Sequence, residues 1–572
     1  MSRYRKPQQR SFDDVEVGLS SLSIPVGNFE TKFREVCDRL IPDSIFDKLY
    51  SSVGREARSP STLTRLLLLQ LRDGASDEKI VNDLFYDLRV RHICDFGFDQ
   101  RPVHPTNLVY HRLRLLFGTI KRDEIEKLKS SGFSEKDSPL VGVFERIKQA
   151  AIELGLVDTE SAQLIDSTAI LGRGAVMGTY ALIFAGIRNA LEKYKKSDDE
   201  HAQELISRLR RKEYLEDVKK PKIDWDSDSA RQELLNDMVC DAMNVIRAGL
   251  KFEDAELQSV MMQLAMFVCQ DVEISKDFTS GKLTKGVCAD RQVSAVDPEM
   301  RHGRKSASRK FNGFKGTITA DAKSGVITGV HVMGANEHDS VAIVPILENQ
   351  SDPPPALIGD RAYAAQEPRY EAMKLGVAVV TKPNSASDWF GKSSFDIDSM
   401  NGSVTCPNGQ VRKIRGKSVS FSGKHCPLDC PYRDECLGTT GTRVIPIRDH
   451  EALQRDAEKF AGTDLGKEML IQRPAIERVI AHWVRNGARQ ARYFGRLKVW
   501  MQCMFSAIMC NVQKIVGKVG DCDAKLLVFD SDVLMFLVAE TLEALFAAMF
   551  VTLGIRDNLG CQSQQSRFYT FA

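Results

Sequence analysis

An excess of charge of either sign is missing from this chain: across 572 residues, 79 lysines and arginines meet 77 aspartates and glutamates, for a net charge of +2. Whole-chain electrostatics therefore select no partner, and a nucleic-acid reading has to rest on local basic patches. Glycine (39) and proline (20) are too scarce for a fibrous or disordered protein. The 13 cysteines are odd in number and mostly scattered singly, which argues against a disulfide framework and leaves one local group to explain. No glycine-rich phosphate loop occurs between Gly178 and Cys288. An apolar signal core is lacking after Met1-Ser2-Arg3-Tyr4-Arg5-Lys6, so a cytoplasmic protein is expected. The most hydrophobic segment, 533–555, could span a bilayer by length but carries Glu540 and Glu543 near its middle. It reads as a packed helix, and no membrane partner is expected.

What is present is a mixture of helical and strand-like text, long enough for about three or four compact units. Ser59-Pro60 reads as an N-cap followed by proline at the first helical position, and Leu63, Leu66, Leu67 and Leu71 recur at helical spacing until Gly74. Ser76 begins a second helix with the stripe Ile80, Leu84 and Leu88. A third begins at Thr106, after Pro102 and Pro105, and carries Arg112 and Arg114. Three short helices suit a helix-turn-helix reader with both arginines on phosphates or bases, and they suit a packing or dimerisation bundle equally.

An amphipathic helix over 141–154 leads to a short apolar run, 161–170, that reads as a buried strand with Asp166 at its end. Helical text follows, taken as an all-helical insertion. From Phe311 the period changes, and 311–321, a Lys323-Ser324-Gly325 turn and 326–332 read as a β-hairpin. Arg301, His302, Arg304, Lys305, Arg309 and Lys310 precede it, and Lys315 lies within it. Such a basic run is a solvated loop in most settings; beside an acidic metal site it is what positions a phosphate backbone. Asp339 is expected to cap the next helix, with His338 structural. Ala356-Leu357-Ile358-Gly359-Asp360 then repeats the pattern of a buried run closed by aspartate, and a strand follows at 377–381. This is an α/β layering, in which ligands gather at strand ends, where both aspartates would lie.

Cys406, Cys426, Cys430 and Cys436 form the local group. Four thiolates so close suit structural Zn2+; reduced thiols in a small β module and disulfides are the other readings, and His425 is a substitute ligand. The basic run 412–417 reads as a strand near DNA or a solvated edge. Pro474 opens a helix with Glu477 in its first turn and Ile476 and Ile480 on the buried side. Beyond it Arg485, Arg489, Arg492 and Arg496 recur at helical spacing, placing them on one face of any helical part, with Gly487 and Gly495 as breaks. A helix laced with salt bridges has the same look.

Taken together, Leu164-Ile165-Asp166-Ser167-Thr168, Ile358-Gly359-Asp360-Arg361-Ala362-Tyr363 and Arg473-x-x-x-Glu477 resemble the DDE transposases of bacterial insertion sequences. Asp297-Pro298-Glu299-Met300-Arg301, Phe311-Asn312-Gly313-Phe314-Lys315, the cysteine-rich insertion and Tyr493-Phe494-Gly495-Arg496-Leu497-Lys498 share in the likeness, which runs from about Pro60 to Lys514. Leu470 and Val484 stand where the related pattern has Tyr and Lys, and Arg485, Arg489 or Lys498 are candidates to replace that lysine. The resemblance implies a ribonuclease-H-like α/β core with a helical N-terminal domain, an all-helical insertion and a cysteine-rich insertion. The implied boundaries are an arm at 1–58, a DNA-binding helical domain at 59–135, core at 136–174, helical insertion at 175–290, core at 291–385, cysteine-rich insertion at 386–450, core helices at 451–517 and the hydrophobic helix at 518–572. It further implies Asp166, Asp360 and Glu477 as ligands of Mg2+ (or Mn2+), with Asp166 bridging two ions, Asp360 binding one and Glu477 the other. The implied partners are double-stranded DNA, as terminal inverted repeats and target, and a second copy of the chain on paired ends, in a nucleoid-associated setting. A metal-dependent nuclease without strand transfer, or a non-catalytic DNA-binding descendant, would share these residues.

Overall fold

The N-terminal helices form for reasons their sequence carries locally. A computed structural model describes residues 29–519 except 52, 54–56, 98–99, 101–102, 217–220, 306–307, 383–390, 400 and 425. After α1 (Phe29–Leu40), Ser59 Oγ accepts the amide of Thr62 at the head of α2 (Pro60–Arg72), and Ser76 Oγ accepts that of Lys79 at the head of α3 (Asp77–Tyr86). Asp87 closes α3 and caps the short α4 (Leu88–Ile93), so Leu88 leaves the α3 stripe and is exposed. His104, ahead of the expected Thr106, caps α5 (Pro105–Phe117). The buried His111 ring ties α5 to its neighbours, one nitrogen 2.8 Å from Tyr50 Oη and the other 2.8 Å from Thr64 Oγ1. Next come α6 (Arg122–Ser130) and α7 (Pro139–Glu153).

The chain then enters a six-stranded mixed sheet at β1 (Gln163–Leu171). It leaves at once for an insertion of α8 (Thr179–Ser197), α9 (Asp199–Arg208), α10 (Asp228–Gly249) and α11 (Ala255–Cys269). These helices keep a core of their own, built around Ile187, Leu191, Met238, Leu264 and Phe267. A short hairpin, β2 (Val272–Ile274) with β3 (Gly281–Leu283), ends the insertion, so it is not wholly helical. Gly281 can lie against Val272 because it has no side chain: a Cβ there would come within 2.5 Å of the valine methyl.

The sheet resumes with β4 (Arg301–Arg304), β5 (Lys310–Asp321) and β6 (Ile327–Gly334). After α12 (Ile343–Glu348) it is completed by β7 (Ala356–Gly359), α13 (Gln366–Lys374) and β8 (Ala378–Thr381). The order is β4-β5-β1-β7-β8, with β6 also on β5; β5 runs antiparallel to β1, β4 and β6, while β1, β7 and β8 are parallel. The cap of the turn before α12 falls on His338 rather than on the expected Asp339, because the imidazole nitrogen accepts the amide of Ser340.

The cysteine-rich segment adds β9 (Asp396–Asp398), β10 (Ser403–Thr405), β11 (Val411–Lys413), β12 (Ser418–Ser422), α14 (Arg433–Leu437) and β13 (Thr442–Pro446). The chain returns through α15 (Glu451–Gly462), α16 (Asp464–Gln472), α17 (Ala475–Trp483) and α18 (Arg496–Val519). Trp483 is fully buried, and a Cβ at Gly316 of β5 would lie 2.7 Å from its ring. That missing side chain lets α17 seat on the sheet. The described residues lie in the first of two units, Met1–Asp521 and Cys522–Ala572. The hydrophobic segment 533–555 and His425 lie outside the described residues.

Candidate active site

Strand register brings the two aspartates level. β1 pairs in parallel with β7 at Gln163↔Leu357 and Leu164↔Ile358, and the same register carried two residues on sets Asp166 beside Asp360. Asp166 is not at the end of its strand: β1 keeps its antiparallel partner β5 as far as Leu171↔Gly313. It stands instead where β1 has lost β7, in the gap at which β7 stops and Asp360 caps the next turn by accepting the amide of Ala362 at 2.8 Å.

Glu477 arrives from α17, whose buried side is Ile476, Val479 and Trp483. Arg473, between α16 and α17, joins the three acids: its Nη1 lies 3.1 Å from Glu477, and its Nη2 3.3 Å from Asp166 and 3.9 Å from Asp360. Three carboxylates thus share one guanidinium, which leaves negative charge in surplus. The Asp166 side chain is 16% exposed, against 40% for Asp360 and 64% for Glu477. Burial pushes the Asp166 carboxyl up to about 6, against the pull of the Ser167 amide and Arg473.

A supporting layer of hydroxyls surrounds the acids, built from motif neighbours to which the sequence assigned no role. Ser167 Oγ bonds Thr317 Oγ1 at 2.8 Å and Tyr363 Oη at 2.5 Å, tying β1 to β5 and to the turn after Asp360. Tyr363 is fully buried, and a Cβ at Gly359 would lie 2.9 Å from its ring. Asp339, also close enough to raise the Asp166 carboxyl, pairs with Lys315 at 2.9 Å.

Residues 400–516 match the family described as "Transposase DDE domain", and residues 22–114 match "Transposase domain (DUF772)". The two matches, one in each part of the chain, support a DDE transposase of an insertion sequence. No curated protein and no solved structure matches the chain. The DDE match takes in the cysteine-rich segment, Arg473 and Glu477, while Asp166 and Asp360 lie upstream of it.

A DDE domain implies divalent-metal dependence in general, and the donors here fit such a group. They are all carboxylate oxygens, as a hard cation prefers, and they already gather around a positive charge. Among the described residues, no three His, Cys, Asp or Glu side chains form a ready-made metal cluster; Arg473 stands among the acids instead.

Several of the basic residues expected on DNA are bonded within the protein. Arg112 is 8% exposed and bonds Asp77 and Gln70, so it holds α5 against α2 and α3 rather than facing outward. Arg114 stacks on Tyr50, its guanidinium carbon 4.4 Å from the ring centre. Lys315 is spent on Asp339 and the carbonyl of Glu337. The single arginine face does not form: a π-helical turn at Val484–Ala488, with Gly487 at φ +103°, ends the helix, and irregular chain carries Arg489 and Arg492 toward α18. Arg489 bonds Thr168 Oγ1 and the carbonyl of Ala169, Arg492 the carbonyl of Ala75, and Arg496 Glu135 and the carbonyl of Val332. Arg304, Lys305, Arg309, Arg485 and Lys498 are exposed. Asp297 and Glu299, part of the likeness, accept the amides of Gly495 and Arg496 and so cap α18, where carboxylates suit the helix dipole. No helix of the described residues is long and apolar enough to cross a membrane.

Proposed function

We propose that this transposase cuts DNA at the ends of an insertion sequence and joins the freed 3′ ends to target DNA, with Asp166, Asp360 and Glu477 as its metal-holding carboxylates. The observation that carries the reading is the meeting of these three acids, from distant parts of the chain, on Arg473. Divalent ions, Mg2+ or Mn2+, would activate the attacking hydroxyl and stabilise the leaving oxygen of the phosphodiester. The chain's own contribution is placement. Asp166 and Asp360 are fixed by paired strands, and Glu477 by the burial of Trp483.

Arg473 would then change partners. Its Nε is buried without a hydrogen-bond partner, and a guanidinium released from the carboxylates would be free to take a phosphate oxygen, for which its planar fork is suited. The exposed Arg304, Lys305, Arg309, Arg485 and Lys498 are candidates for contacts along the duplex, and a second copy would hold the paired end. The test incubates the full chain with terminal-repeat DNA, a target plasmid and Mg2+. Nicked ends and joined products support the reading; cleavage without joining leaves a nuclease, and binding without cleavage leaves a non-catalytic DNA-binding protein.

A further inference from the structure

The cysteine-rich segment has a chemistry that the three acids do not use. Its folded strands are three to five residues long, and its core is small: Phe395, Val404, Val419, Phe421, Leu437 and Ile445, with Cys436 among them. A unit of this size buries too little apolar surface to be well held by packing alone, and small modules are commonly stapled by disulfides or a metal. Cys406, Cys426, Cys430 and Cys436 are free thiols, and all four line one pocket.

Three separate pieces of backbone deliver them. Cys406 precedes a tight turn in which its amide bonds the carbonyl of Gln410 at 2.9 Å, Gly409 adopts φ +75°, and the amide of Gln410 points at Cys406 Sγ from 3.3 Å. Cys426 and Cys430 lie on a loop held by Arg433, whose guanidinium donates to the carbonyls of Gly423, Cys426 and Pro427. Cys436 is buried on α14. The thiols line the pocket without forming a closed cluster, so a shared ion would have to draw them together.

We propose that these four thiols bind one Zn2+ as a structural site that locks the cysteine-rich module. Four soft sulfur donors suit tetrahedral zinc and not the hard cation of the acid site.

The test measures metal in the full-length, tag-free chain after gel filtration. One zinc per chain is expected, and Co2+ in its place should give the visible bands of a tetrahedral tetrathiolate. Cys430→Ser and Cys436→Ser should each lose the zinc, while Cys288→Ser, at an exposed position elsewhere, should keep it. Zinc absent from the unsubstituted chain would overturn the proposal, as would a non-reduced mass short of the hydrogens that a disulfide among these cysteines removes. Zinc retained by both serine variants would overturn it too. If those variants fail to fold, the metal content and Co2+ spectrum of the unsubstituted chain still decide.

Discussion

Two arginines, one in the helical unit and one beside the sheet, bridge carboxylates in ways that differ in charge balance. Arg112 meets Asp77 with Gln70 alongside, one positive group for one negative, in a largely buried place. Burial alone would push the Asp77 carboxyl up, but the bonds from Arg112 outweigh it and hold the group below its usual range. Arg473 meets three carboxylates, and Asp166, pushed up chiefly by burial and further by Asp360 and Asp339, stays above its usual range despite the guanidinium. A balanced pair satisfies itself and serves as structure. An unbalanced group of oxygen donors is left wanting a cation.

The largest expected effect follows from that imbalance. Asp166→Asn, Asp360→Asn and Glu477→Gln should each reduce nicking of terminal-repeat DNA on the order of 10^3-fold, as loss of several kcal/mol of transition-state stabilisation implies. DNA binding, read by gel shift, should be nearly unchanged. An amide variant that still cuts at the parent rate would remove its residue from the site.

Next in size is Arg112. Arg112→Ala strands Asp77 in a place with little solvent and should cost about 3 kcal/mol of stability, seen in urea melts. Cleavage per folded molecule should persist. A loss of DNA affinity with no loss of stability would restore the reading of Arg112 as a DNA contact.

How much of this can be read from the sequence follows the range of the interactions. Ser59 and Ser76 are legible as caps because a cap depends on residues two or three positions away. The runs ending at Asp166 and Asp360 are legible because burial on both faces of parallel strands demands continuous apolar text. What escapes the sequence is set by distant partners. Arg112 has the look of a surface cation, and its Asp77 lies 35 residues away. The bond from Arg473 to Asp166 spans 307 positions, so Arg473 is legible as the partner of Glu477 in Arg-x-x-x-Glu but not as the residue that also meets both aspartates. Gly487 is recognisable as a break, but the direction in which φ +103° sends Arg489 cannot be inferred from helical spacing. Ser167 and Tyr363 stand in the aspartate motifs, but only the fold sets their hydroxyls together.

The pH dependence of stability should separate the two regions by sign. Burial, with Arg114 and Arg112 nearby, pushes His111 down from 6.5 to about 3. Its contribution is therefore complete above the unfolded value and is lost as pH falls from 6.5 toward 3, amounting to ~2 kcal/mol by pH 5. Asp166 is raised from 3.8 to about 6, so its contribution is complete below 3.8 and is lost as pH rises through 6. Asp166→Asn should then stabilise the metal-free protein by about 2 kcal/mol at pH 8 and leave its stability at pH 4 little changed. Thermal melts of the parent and this variant across pH 4–8 check both slopes, and a variant no more stable than its parent at pH 8 would contradict the burial of a charged Asp166.

The smallest effect is the most direct comparison of the two bridges. Two of the carboxylates on Arg473 are substantially open to water, so their attraction is weakened and Arg473→Gln should cost only about 1 kcal/mol in metal-free protein. The variant leaves three acids facing one another with no cation among them, and Mg2+ stabilises whichever folded state binds it. Mg2+ should therefore raise the melting temperature of Arg473→Gln more than that of the parent, whose guanidinium has to be displaced first. It should leave the deficit of Arg112→Ala where it was, because the carboxylate exposed there is single. Equal Mg2+ shifts in parent and Arg473→Gln would mean that the guanidinium and the ion do not compete for one place, and the surplus of charge around Asp166 would need another explanation.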